Sequence, residues 1–117
     1  MKNMDIAVDR VIANIKSKTP IFIFGDYDVD GTTGASLLSI GLISLGATVD
    51  TYIPNRVKEG YGVSELGIDK AKKFGADLFI TCDCGTRVLK SAGADIFGTW
   101  REGSVYHRHT TVLTRAY

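Results

Sequence analysis

The stretch Ile21-Phe22-Ile23-Phe24-Gly25-Asp26-Tyr27-Asp28-Val29-Asp30-Gly31-Thr32-Thr33-Gly34 decides the architecture. Four β-favouring apolar residues stop at a glycine, three carboxylates follow at alternate positions, and Gly31 opens what reads as a helix. A short, unbroken apolar run of this kind belongs to a strand buried on both faces of a parallel sheet. If the chain stays extended past Gly25, Asp26, Asp28 and Asp30 point the same way, because strand side chains alternate with period two. Like charges crowded together raise one another's pKa unless a cation sits among them. Hard divalent ions such as Mg²⁺ and Mn²⁺ take oxygen ligands of this type. The stretch therefore predicts a metal site at the carboxyl end of a strand.

Working outward, Ile6, Val8, Val11, Ile12 and Ile15 recur at helical spacing until Thr19-Pro20 halts the pattern, which predicts a helix over 5–16. On the other side, Ala35, Leu37, Leu38, Leu42, Ile43 and Leu45 predict a second helix closed by Gly46. It is apolar almost all round, so it is expected to be well buried. Thr48–Ile53 reads as the next strand, residues 54–62 as a loop rich in charge and glycine, and Ser64 to Phe74 as a third helix capped by Gly75. Asp77–Cys82 reads as a third strand that also ends in an aspartate, Asp83. Repeated βα units predict an α/β fold with a parallel, doubly wound sheet and right-handed crossovers.

In such sheets ligands bind beyond the carboxyl ends of the strands. Should the strands before Asp26 and Asp83 be neighbours, four carboxylates converge on one crevice. Gly31-Thr32-Thr33 then sets a helix N-terminus beside it, where free N–H groups and the helix dipole favour a phosphate.

Composition narrows the functional classes. With 117 residues, 44% of them apolar, the chain makes one small domain or part of a larger one. A net charge of +1 gives no global basic field, so any nucleic-acid contact must come from a local patch. No apolar run reaches the roughly 18 residues needed to span a bilayer. The polar start Met1-Lys2-Asn3-Met4-Asp5 does not resemble a signal peptide. The two cysteines, Cys82 and Cys84, lack the further ligands a zinc site needs, and a reducing, cytoplasmic setting is expected. From Thr99 onward both periodicities are lost, so residues 99–117 are expected to form a divergent, poorly ordered tail.

The aspartates fit three other patterns less well. Asp26-x-Asp28-x-Asp30-Gly31 also begins a calcium loop, but the required bidentate acid falls at Leu37 and a strand precedes it. Asp28-Val29-Asp30-Gly31-Thr32 matches the haloacid-dehalogenase signature, whose first aspartate is a nucleophile. The apolar run ends too early for it, and no later acidic pair follows. A purely structural use as turn and cap residues accounts for one or two of the acids, not for three plus a fourth on another strand.

Three segments in register carry a resemblance: Gly25-Asp26-Tyr27-Asp28-Val29-Asp30-Gly31, Tyr52-Ile53-Pro54-Asn55-Arg56 with Glu59-Gly60-Tyr61-Gly62, and Ile80-Thr81-Cys82-Asp83-Cys84-Gly85-Thr86. Together they resemble the first part of the DHH phosphoesterase domain, in the RecJ-type branch of 5′-to-3′ exonucleases specific for single-stranded DNA. The resemblance covers residues 1 to about 87, with a partial DHH domain expected over 1–98. It implies that Asp28, Asp30 and Asp83 are catalytic and ligate Mn²⁺ or Mg²⁺, two ions in the intact enzyme, with Asp26 in or next to the same shell. It further implies phosphate or substrate contacts from Gly31, Thr32, Asn55, Arg56, Gly60 and Tyr61, with Lys58 adding charge.

The Asp-His-His motif the family carries after the equivalent of Asp83 is missing. His107, in Tyr106-His107-Arg108-His109, falls near the right distance without the leading aspartate and stays a minor ligand candidate. The family's second catalytic subdomain and OB-like domain are absent as well, so the chain reads as a truncated piece whose own activity is poor or absent. Partners implied are single-stranded nucleic acid or a small phosphodiester, in DNA repair and recombination, and no membrane. A small-substrate phosphodiesterase, oligoribonuclease or pyrophosphatase of the same superfamily is the nearest alternative. A non-catalytic nucleotide-binding module is the other.

Overall fold

The computed structural model describes residues 4–59, 64–83, 100–107 and 110–115. In chain order the elements are α1 (Met4–Ser17), β1 (Ile21–Gly25), α2 (Val29–Ser44), β2 (Val49–Tyr52), α3 (Arg56–Glu59), α4 (Glu65–Phe74), β3 (Leu78–Cys82), β4 (Trp100–His107) and β5 (Thr110–Arg115). The strands form one sheet in the order β2-β1-β3-β5-β4. β1 pairs in parallel with β2 and with β3, whereas β5 runs antiparallel to β3 and to β4. The expected parallel βα core is present as a three-stranded sheet, extended by the antiparallel pair β4 and β5 in a stretch without strand or helix periodicity.

β1 is buried along its whole length because helices cover both of its faces. Ile21 and Ile23 pack with Leu78, Ile80, Ala35 and Leu42 beneath α1 and α2. Phe22 and Phe24 pack with Phe79, Ile68 and Ala71 beneath α4. The second layer is aromatic: Phe22 stacks on Phe79 at 5.6 Å between ring centroids, and Phe24 tilts against Tyr52 at 5.7 Å. Pairs of this geometry add about 0.5–1.5 kcal/mol each beyond the area they bury.

Local signals set the helix ends. Ser64 accepts a hydrogen bond from the Gly67 amide at the start of α4, and Gly75 closes that helix at φ +78°, a left-handed position that glycine adopts without steric cost. Asn14 of α1 donates to Asp77 Oδ2 (2.9 Å) and to Thr19 Oγ1 (2.8 Å), fastening the end of α1 to the start of β3.

One expectation fails. α2 is not enclosed: it buries Gly31, Ala35, Ser39 and Leu42, while Leu37, Ile40, Ile43 and Leu45 are exposed. The described sheet covers one side of the helix only, so an apolar stripe right round it exceeds what this packing can bury. Among the described residues no helix is long and apolar enough to cross a membrane.

The strand order also locates the crevice. From β1 the chain moves outward to β2, and from β3 it moves the opposite way to β5 and β4. β1 and β3 are adjacent, with Gly25 level with Cys82. Their carboxyl ends thus flank the switch point at which open α/β sheets bind ligands.

Candidate metal centre

Asp26 is the first residue past β1 and is fully buried. Its backbone amide donates to Cys82 O (3.3 Å) and its carbonyl accepts from the Thr32 hydroxyl (3.4 Å). Its Oδ1 accepts from the Tyr27 amide (2.9 Å). Oδ2 is buried and has no hydrogen-bond partner among the described residues. Burial pushes the Asp26 pKa up; the Tyr27 amide offsets part of the rise, and the charges of Asp28 and Asp83 add to it. A buried carboxylate oxygen with no donor is costly to keep charged, and a cation would relieve that cost.

Two glycines make this approach possible. A Cβ on Gly31 would lie 2.5 Å from both the amide nitrogen and the carbonyl oxygen of Asp26. A Cβ on Gly25 would lie 2.6 Å from the Gly31 carbonyl. The helix N-terminus therefore rests directly on the strand end.

The three aspartates do not continue an extended strand as expected. The chain turns at Asp28, whose side chain caps α2 by accepting from the Gly31 amide (2.8 Å). Asp30 already lies in the first turn of the helix, where its charge complements the dipole. The helix begins at Val29, two residues before the glycine expected to open it. The Gly31 amide is thus taken by Asp28 Oδ1 and the Thr32 amide by Asp28 O (3.0 Å). The free phosphate-binding amides expected at Gly31 and Thr32 are not there.

Asp83 enters from the neighbouring strand with φ +58°, a left-handed conformation that aspartate tolerates better than most residues. It directly follows Cys82, whose carbonyl accepts from the Asp26 amide. The adjacent Cys82 thiol is pushed up to about 11, by burial first and by the Asp83 charge second. It stays protonated at neutral pH and offers no thiolate.

As they stand, the carboxylates are gathered without being closed into a coordination shell. Among the described residues no three acidic, histidine or cysteine side chains are grouped to hold an ion. The donor set nonetheless suits a hard divalent cation: oxygen only, one orphaned atom, and mutually repelling charges from two βα units.

Asn55 and Arg56 occupy a short helical turn where a loop was expected. Asn55 Oδ1 accepts from the amides of Val57 (3.0 Å) and Lys58 (3.1 Å), so it caps α3. The Arg56 guanidinium lies over the Tyr27 ring, 5.5 Å from its centroid, which brings it to the acidic rim. Tyr27 was not singled out from the sequence; its place between two aspartates was the available signal. Gly60 and Tyr61 lie outside the described residues. His107 ends β4 opposite Thr110, and Thr110 pairs with Cys82. Its backbone therefore stands at the Asp83 end of the sheet but two strands away, about 10 Å at ordinary strand spacing.

The Bacillus subtilis single-stranded-DNA-specific exonuclease RecJ is 42% identical over 105 residues, covering 85% of this chain and 13% of that protein. The Thermus thermophilus RecJ is 48% identical over 65 residues, covering 56% of this chain and 10% of that protein. A crystal structure of exonuclease RecJ bound to manganese superposes with a TM-score of 0.74 at 34% identity, over 84% of this chain and 25% of that one. The chain thus spans a small fraction of the length of these relatives. Residues 20–98 match the DHH family, N-terminal domain, and the chain belongs to that family.

Proposed function

We propose that this chain is the N-terminal portion of a RecJ-like, metal-dependent exonuclease acting on single-stranded DNA, and that residues 1–98 form its partial DHH domain. The observation that carries the reading is the orphaned Oδ2 of buried Asp26, set where β1 and β3 end side by side with Asp28 and Asp83 close enough to perturb it. The manganese in the related RecJ crystal structure supports Mn²⁺ or Mg²⁺ here, two ions in the intact enzyme.

Asp26, Asp28, Asp30 and Asp83 would hold the metal. When bound, it supplies a water of lowered pKa and neutralises charge on a scissile phosphate. The protein contributes placement. Asp26 is fixed through its amide, its carbonyl and one carboxylate oxygen, which leaves the other oxygen without a donor among the described residues. Asp28 holds the start of α2 against it, and Asp83 adds a carboxylate from the second βα unit. Arg56 presents guanidinium donors in a fork suited to phosphate oxygens. The RecJ likeness supports a role in DNA repair and recombination, in the cytoplasm.

The rival readings fit the geometry less well. α2 begins inside the would-be calcium loop, and Asp28 sits three residues beyond the strand end as a helix cap rather than as a strand-end nucleophile. The test is a chimaera in which residues 20–83 replace the matching segment of the Bacillus subtilis RecJ. Mn²⁺-dependent hydrolysis of single-stranded DNA should survive the exchange and be lost with Asp83→Ala. A chimaera that cleaves only short dinucleotides would point to the small-substrate alternative. The chain alone should hydrolyse DNA poorly or not at all, since its two histidines lie outside an Asp-His-His motif.

A further inference from the structure

We propose that Tyr27 is a positioning residue that holds the Arg56 guanidinium over the acidic rim to receive a nucleic-acid phosphate; this rests on the phosphate role given to Arg56 above. A surface arginine samples many rotamers and loses that freedom when it binds. Here both ends of the contact are fixed in advance. The Tyr27 backbone amide is bonded to Asp26 Oδ1, which fixes the main chain that carries the ring. Arg56 is the first residue of α3, and Asn55 fixes that turn by accepting two of its amides.

Between these anchors the guanidinium lies over the ring face at 5.5 Å, within the range where a cation is attracted to an aromatic quadrupole. A guanidinium that meets an aromatic face can still offer its edge N–H groups to a phosphate. The carboxylates of the crevice repel a phosphate, and a cation held at their edge lowers that barrier.

The experiment is a double-mutant cycle on the full chain. Binding of 3′-labelled dT12 is followed by fluorescence anisotropy with Mn²⁺ at several salt concentrations, and thermal melts verify that each variant folds. Arg56→Ala should weaken binding and lower the salt slope by about 0.7, the value for one single-strand phosphate contact. Tyr27→Leu should weaken it about 2- to 5-fold and lower the slope similarly, because an unstacked arginine binds less well. Tyr27→Phe should restore binding, and Tyr27→Leu should have no further effect in the Arg56→Ala background.

Additive losses would overturn the proposal, since Tyr27 would then act independently of Arg56, as would full binding by Tyr27→Leu. An unchanged Arg56→Ala, or no binding by the parent chain, would overturn the phosphate role itself and the positioning role with it.

Discussion

The backbone amide of Asp26 donates to the carbonyl oxygen of Cys82 across 3.3 Å. The first residue beyond β1 is thereby tied to the last residue of β3, and the acids that follow each strand come to share one rim. Hydrogen bonding between parallel strands enforces this, because register sets Gly25 level with Cys82. The repulsion that results is visible in Asp26, whose pKa is raised by burial first and then by Asp28 and Asp83.

That raised pKa predicts how metal-free stability depends on pH. Folded Asp26 keeps its proton at pH values where the unfolded chain has lost it, so in chelator the stability falls as pH rises from about 4 through the folded pKa. Asp26→Asn removes the titration. In EDTA at pH 7 it should raise stability by on the order of 1 kcal/mol, about 4 °C in Tm for a domain of this size. The advantage should shrink toward pH 4, as followed by thermal melts across pH.

The contact between α2 and the end of β1 predicts opposite outcomes for two glycines in one helix. Gly31→Ala drives a Cβ into the Asp26 backbone at 2.5 Å, and backbone cannot yield as a flexible side chain does. It should cost about 3 kcal/mol. Gly41→Ala meets nothing within 4 Å and should stabilise the helix by up to about 1 kcal/mol. Urea midpoints of the two variants should therefore fall on opposite sides of the parent.

The exposed stripe of α2 gives a third test. Leu37→Glu and Ile40→Glu, at positions 73% and 69% exposed, should change stability by less than about 0.5 kcal/mol. A loss above 2 kcal/mol in urea unfolding would mean that this face is covered.

Much of this was legible in the residues themselves. The run Ile21–Phe24 announces a strand buried on both faces, Asp77–Cys82 a further strand, and Ser64 and Gly75 mark the ends of α4. That Asp26 and Asp83 share a rim follows from βα order once the strands are adjacent. Three features were not legible. The cap at Asp28 replaces strand alternation because a side-chain oxygen can satisfy the helix amides as soon as the chain turns. Exposure of Leu37 and Ile40 depends on what covers α2, which helical periodicity cannot reveal. The Tyr27–Arg56 stack joins residues 29 apart in sequence, and no local pattern encodes it.

The most direct measurement is Mn²⁺ titration of the parent chain, Asp28→Asn and Asp83→Asn by electron paramagnetic resonance of the free ion. Uptake by the parent should be weak, and lower still in both variants, because carboxylates from two βα units share the ion. Uptake by Asp83→Asn equal to that of the parent would contradict it.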